Sequence, residues 1–343
     1  MKTTTANIRL LSHQLAKPTF KTPKDLVSWM GAVQAQEYNM AKWAVGVRLK
    51  SPKLQEIETA LQKGEIIRTH VMRPTWHFVA AEDIRWMLKL SGHRIKAANE
   101  SFGRSMGVDE SLYPRCNDLI IRMLEGNKSL TREEISIEFE KAGIAADSGH
   151  VRRFLTRAEA DAIICSGPDK GKRPTYALLE ERVPIVPELT KEEALAILAR
   201  RYFMSHSPAT MNDFLWWSGL NVSDARQALS FIETELIKEQ DFFIHESYNS
   251  SKSSKDVLHL LPSFDEYLIS YKDRTAVLHP DFHHKAFNRW GIFYPVVLHN
   301  GKIIGNWKKG TKKVECTFFE QTNDIASELI EAAQNRFKSF IGK

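Results

Sequence analysis

Apolar residues recur at helical spacing in three successive stretches of the chain, and each stretch closes on short strand-like segments around a polar tip. The middle copy is the plainest. Residues 114–125 put Leu119, Ile120, Met123 and Leu124 on one face before Gly126 and Asn127 stop the helix. Thr131 followed by Glu134 forms a capping box that opens a second helix through Phe139, which Gly143 ends. Ser148 is placed to cap a third helix, with Val151, Phe154, Leu155 and Ala158 inward and His150, Arg153 and Arg157 on the opposite side. Strand-like 162–165 and 175–179 then flank a tip, 166–174, carrying Lys170, Lys172 and Arg173, which predicts a hairpin with a basic end.

The same order recurs on either side. In the first copy, 8–15, 25–36 and 54–63 read as helices and 66–79 as the hairpin. In the third, helices at 191–203, 210–217 and 221–235 precede strand-like 242–244 and 257–261, which flank a Ser/Lys-rich tip at 248–255. Helix, helix, helix, hairpin is the grammar of a winged helix. Beyond about residue 256 the pattern shifts to strands at 257–262, 296–299, 302–306 and 314–319, with an Asn300-Gly301 turn, and then a closing helix at 324–340. The expected fold is α+β, mainly α: three tandem winged-helix domains followed by a small β-barrel or sheet and a C-terminal helix. The expected domains are 1–105, including a following basic helix, then 106–188, 189–262 and 263–343.

Composition narrows the function classes. With 43% apolar residues in 343, the chain can build several cores. Arg9 interrupts the only apolar stretch near the start and no later run is long enough to span a bilayer, so a cytoplasmic protein, nucleoid-associated when bound, is expected. Cys116, Cys165 and Cys316 are widely spaced and lack a CxxC pair, which predicts buried thiols and no disulfide or zinc framework. His279, Asp281, His283 and His284 lack ligand spacing, and there is no phosphate-binding or dinucleotide glycine motif, so no metal and no cofactor are expected. A net charge of +6 suits a polyanionic partner. Its placement adds to this: Arg85, Lys89, His93 and Lys96 share one face of the predicted helix at 82–101, opposite Ile84, Leu88 and Ile95. Such a stripe is either a solvated surface or a phosphate contact.

The first copy differs from the others. Its third helix exposes Gln55, Glu56, Glu58, Thr59, Gln62 and Lys63, a poor surface for phosphates. At the end of its second predicted helix stands Gln34-Ala35-Gln36-Glu37. On a helix, residues two apart point in different directions, so the pair converges only where the helix ends or distorts; taken alone it is a polar helix end. The following hairpin carries Arg68, His70, Arg73, Trp76 and His77, which suits phosphate and sugar contact or, with Trp76 in the core, a structural hairpin. Asp265 and Glu266 are adjacent, and on a strand they face opposite ways, so both are expected to be structural.

Four segments resemble one family in order along nearly the whole chain. Val33-Gln34-Ala35-Gln36, the hairpin 68–79, the motif Leu261-Pro262-Ser263-Phe264-Asp265-Glu266-Tyr267-Leu268, and 297–307 with its Gly-x-Trp ending are similar to the AlkZ/YcaQ family of winged-helix DNA glycosylases, in its AlkZ-like Gln-x-Gln form. The resemblance implies tandem winged helices around double-stranded DNA and a metal-independent, monofunctional glycosylase that excises N7-alkylated guanine, in some members unhooking interstrand crosslinks. It implies catalytic roles for Gln34 and Gln36. Glu37 is the nearest carboxylate, either a general base or a solvated charge. The DNA-binding residues expected are Arg68, His70, Arg73, His77, Arg85, Lys89, Lys96, His150, Arg153, Arg157, Lys170, Lys172 and Arg173. A monomer is expected. The competing reading is a non-catalytic winged-helix DNA-binding regulator or lesion sensor.

Overall fold

The structure, a computed structural model, describes residues 5–144, 147–248, 256–311, 313–321 and 325–342. The chain is mixed α and β and divides into two compact units, Thr59–Ala194 and a discontinuous one made of Met1–Glu58 with Leu195–Lys343. Among the described residues no helix is long and apolar enough to cross a membrane.

The continuous unit begins with the hairpin Ile66–His70 and Trp76–Ala80, paired so that Ile66 faces Ala80 and His70 faces Trp76. The helix Ile84–Ser105 follows and packs against Ser148–Ala160. Gly92 permits that approach, because a Cβ there would lie 2.7 Å from the carbonyl oxygen of Ala160. The helices Leu112–Leu124, Arg132–Lys141 and Ser148–Ala160 enclose a core of Tyr113, Cys116, Ile120, Ile135, Phe139, Phe154 and Leu155. Thr131 and Glu134 form the expected reciprocal capping box. Asp147 caps the next helix, one residue before the expected Ser148, because its carboxylate reaches the amides of Gly149 and His150. Ile164–Ser166 and Thr175–Leu178 form the predicted hairpin, with Leu130–Thr131 on its free side.

The discontinuous unit holds the helices Thr5–Ser12, Pro23–Met30, Tyr38–Gly46, Lys191–His206 (most of its length), Met211–Ser218 and Val222–Ser230. Thr210 with Asp213 supplies another capping box and Asn221 caps the following helix. Three expectations change here. The second helix stops at Met30, not near Gln36, because Gly31 turns the chain at φ 78°, and Tyr38–Gly46 is a further helix. The third hairpin is Leu236–Glu239 with Phe242–His245, turned at Gln240 with φ 55°; 249–255 of the expected tip lie outside the described residues. Leu258–Leu261, expected as that hairpin's second strand, instead starts an antiparallel sheet with Val296–His299, Lys302–Lys309 and Val314–Phe318.

That sheet is open, which corrects the barrel alternative. Among the described residues its first and last strands are edges, and the chain between the first two strands is spent on short helices and loops. The closing helix Ser327–Phe340 packs against Leu258–Leu261. Phe337 and Phe340 meet Trp43 at ring separations of 5.2 and 4.9 Å, while the indoles of Trp43 and Trp307 donate to the Leu260 and Leu261 carbonyls at 2.6 Å each. Cys116 and Cys165 are buried free thiols, both pushed up to about 12 by burial; Cys316 is only half-buried.

One ion pair ties the discontinuous unit together. Arg48, just beyond the Tyr38–Gly46 helix, grips Asp265 in a fork, with Nη1–Oδ2 at 2.9 Å and Nη2–Oδ1 at 2.7 Å, and both side chains are buried. Burial opposes the charge on Arg48, but the facing carboxylate outweighs it and holds the guanidinium above its usual range. Replacing Asp265 by Ala strands a buried cation, so urea unfolding should show a loss of about 3–5 kcal/mol. A loss below about 1 kcal/mol would contradict this role.

Candidate active site

The Gln34-Ala35-Gln36 segment lies between two helices: Val33–Gln34 forms a two-residue strand, and the chain bends at Gln36 and Glu37 before the next helix. The segment is therefore not helical, and the helical spacing that would splay the two glutamines does not apply to it. Val33, Gln34 and Ala35 are buried, Gln36 is half-buried, and Glu37 is exposed at the start of the next helix. The segment therefore rises from the interior to the surface within four residues.

Glu266 anchors it at Gln34. The backbone N–H of Gln34 donates to Glu266 Oε1 at 2.6 Å, a short charge-assisted bond. Glu266 is fully buried, and its Oε2 accepts from the Trp217 indole at 3.3 Å and from the Ser270 hydroxyl. Trp217 also packs on Gly31, where a Cβ would come within 3.3 Å of Cη2. Gly31 thus gives the positive-φ turn that ends the helix and the space for the indole that supports Glu266. Asp265, the adjacent residue, caps the Glu266–Ile269 helix through the Tyr267 amide and faces Arg48.

A histidine pair completes this interior. Arg48 Nη2 can only donate, so His13 Nδ1 accepts at 3.5 Å and His13 Nε2–H donates to the Tyr271 hydroxyl at 2.8 Å. The Tyr271 hydroxyl in turn donates a hydrogen bond to the His206 carbonyl at 2.8 Å. His206 stacks on Tyr202 at 4.8 Å and sits 3.7 Å from Glu266 Oε2. Burial lowers both histidines below their usual range; for His13 the neighbouring His206 and Arg48 add to it, and for His206 Glu266 opposes it.

In the continuous unit, His70 and His77 are buried. His70 Nδ1 meets the buried Glu159 at 2.6 Å, and His77 Nδ1 donates to the Thr75 carbonyl at 2.9 Å. Burial raises the Glu159 carboxyl, against the pull of His70. Trp76 is half-buried, with the His70 ring tilted against it at 4.0 Å and the Arg68 guanidinium 4.3 Å over its ring; Arg73 is half-buried at the hairpin end. Arg85, Lys89, His93 and Lys96 line a cleft of about 450 Å³ with acidic residues among its walls. Arg85 forks onto Glu180 at 2.6 and 3.0 Å, Lys89 reaches Glu188 at 3.3 Å, and Lys96 reaches Asp161 at 3.0 Å. Arg157 contacts Asp161, Glu100 and Glu110, Lys170 contacts Glu134, His150 contacts Asp147, and Arg153 lies 5.3 Å over Phe102. Lys172 and Arg173 are exposed on the hairpin tip. Among the described residues no group of three or more His, Cys, Asp or Glu gathers closely enough to hold a metal ion.

Residues 27–339 match the family model for AlkZ-like DNA glycosylases. The chain belongs to that family. It is 22% identical, over 94% of its length and 91% of the relative's, to the interstrand DNA cross-link repair glycosylase of Streptomyces sahachiroi. Its fold superposes on the solved structure of the S. sahachiroi DNA glycosylase AlkZ with a TM-score of 0.82 and 20% identity, covering 100% of this chain and 98% of that one. In this chain the Gln-x-Gln segment meets the late Asp265-Glu266 motif through the bond from the Gln34 amide to Glu266. Glu266 was expected to be merely structural, and only its place in the resemblance motif hinted at more. Its partner lies 232 positions away, a distance no local pattern reports.

The lowered histidines set a pH dependence. Unfolded histidines take up protons as pH falls through about 6.5 while buried His13 and His206 stay neutral, so stability is retained above that point and lost progressively below it. The melting temperature should drop between pH 7.5 and 5.5, and neither ring should titrate by NMR in that range. A ring titrating near 6.5 would contradict the burial argument.

Proposed function

We propose that this AlkZ-like chain hydrolyses the N-glycosidic bond of N7-alkylated guanine in duplex DNA, with Gln34 and Gln36 as the reacting pair. The observation that carries the reading is the Gln34-Ala35-Gln36 segment, which follows the helix end at Gly31, is anchored from beneath through the Gln34 amide and emerges at the surface by Glu37. Alkylation at N7 leaves the base cationic, so the departing base needs no proton. As the C1′–N9 bond breaks, its electron pair neutralises the base and the sugar becomes oxocarbenium-like. Amide oxygens can orient the water that attacks C1′ and stabilise the developing charge, and the water's proton leaves to solvent. A carbonyl dipole is a weaker base than a carboxylate, which restricts such a site to labile lesions and spares normal purines. Glu37, exposed at the helix start, is assigned no part in the step.

The three helix and hairpin sets are read as winged helices, with domains at 1–105, 106–188, 189–262 and 263–343. The second and third grip the duplex and the first carries the chemistry. Arg68, Arg73, Arg153, Lys172 and Arg173 are proposed as phosphate contacts; Lys89 and Lys170, in exposed ion pairs that contribute only about 0–1 kcal/mol, can exchange an acidic neighbour for phosphate, and the more enclosed Arg85, Lys96, Arg157 and His150 are proposed to do the same at greater cost. His70 and His77 support the hairpin from inside. The relative's name, which specifies interstrand cross-link repair, extends the proposed substrates to crosslinks joined through N7 of guanine. The chain acts as a metal-independent, monofunctional monomer, nucleoid-associated when bound.

The test is release of free base from duplex DNA carrying N7-methylguanine. Wild-type protein should release it, and Gln34→Ala or Gln36→Ala should slow single-turnover release by about a hundredfold with little change in DNA affinity. Salt-dependent binding with no release would instead identify a regulator or lesion sensor.

A further inference from the structure

We infer that Glu266 is a positioning residue for the reaction: it fixes Gln34 through the Gln34 backbone amide and so sets where the Gln34 side chain meets the sugar. The inference rests on the proposed role of Gln34. Three features single out this carboxylate. It is fully buried, although a carboxylate leaves water only at high cost and its neighbour Asp265 already neutralises Arg48. Its oxygens are divided between tasks: Oε1 is committed to Gln34 N–H at 2.6 Å, whereas Oε2 is held by Trp217 and Ser270. Its supports belong to the same turn it serves, because Trp217 packs on Gly31, three residues before Gln34. A peptide plane gripped at its N–H by a carboxylate that is itself pinned has little freedom to rotate, and the side chain of that residue inherits the orientation.

The experiment uses full-length protein and N7-methylguanine duplex. Glu266→Met keeps the side chain's length and removes both acceptors; Glu266→Gln keeps one oxygen for the Gln34 amide. Single-turnover release should slow about tenfold or more in Glu266→Met, with DNA affinity within about twofold of wild type, and Glu266→Gln should recover most of the rate. In a Gln34→Ala background the same Met substitution should cost no more than about twofold, since the residue it orients is gone. Val33-Gln34 is the only Val-Gln step in the sequence, so 13C-valine with 15N-glutamine labelling isolates the Gln34 amide. Its proton should resonate far downfield in wild type and move upfield in Glu266→Met. If Glu266→Met does not fold, Glu266→Asp, whose shorter side chain withdraws the acceptor from the Gln34 N–H, takes its place under the same criteria.

In Glu266→Met, an unshifted Gln34 amide, a rate within about twofold of wild type, or an equal loss in both backgrounds would overturn the inference, the last by showing a purely structural role. Absence of release by wild type is a different failure. It removes the catalytic reading itself, and the positioning role with it, whatever the amide shows.

Discussion

A two-residue strand cannot satisfy its own backbone when it is buried, and the acceptor that Glu266 offers to the Gln34 N–H is the constraint on which the rest of this interior depends. To put a carboxylate there, the chain must return after more than two hundred residues, bury the charge, and surround it with donors. Trp217 from the Met211–Ser218 helix and Ser270 beside the Glu266–Ile269 helix supply them. Gly31 must then accept the indole. The burial of Arg48, its fork onto Asp265 and the neutral His13 network follow as the surroundings that keep two adjacent acids in one interior without two unpaired charges.

Asp265 and Glu266 divide this labour. Asp265 caps a short helix and binds a cation, which holds the scaffold; Glu266 holds the Gln-x-Gln segment. The two acids were expected to face opposite ways on a strand; the backbone there is a helix start, and the two carboxylates, both buried, have different partners. Membership of the AlkZ-like family and the match to the S. sahachiroi structure give this interior its context. The short motif around Asp265 and the Gln-x-Gln segment are two halves of one arrangement.

Much of the framework was legible because it is written locally. Capping boxes at Thr131 and Thr210, the Asn300-Gly301 turn, and the amphipathic faces around Leu119 and Phe154 report their own structure. The Tyr38–Gly46 helix was missed because Ala41 through Gly46 are all buried, which erases the polar face that marks a helix. The third hairpin was misplaced because Leu258–Leu261 reads equally well as a hairpin strand or a sheet edge, and only its pairing with Val296–His299 decides. The basic stripe could not be interpreted alone, since Glu180 and Glu188 lie about ninety-five and ninety-nine residues from Arg85 and Lys89. The sequence drew attention to the glutamines, but not to the carboxylate that Gln34 contacts.

The central claim is that the Gln-x-Gln segment is rigidly held by the Gln34 amide bond to Glu266, and amide hydrogen exchange reads that bond directly. The account predicts that the Gln34 amide, in a strand of only two residues, exchanges as slowly as the amides of the Lys191–His206 helix interior. Complete exchange within seconds at neutral pH, with that helix still protected, would contradict it.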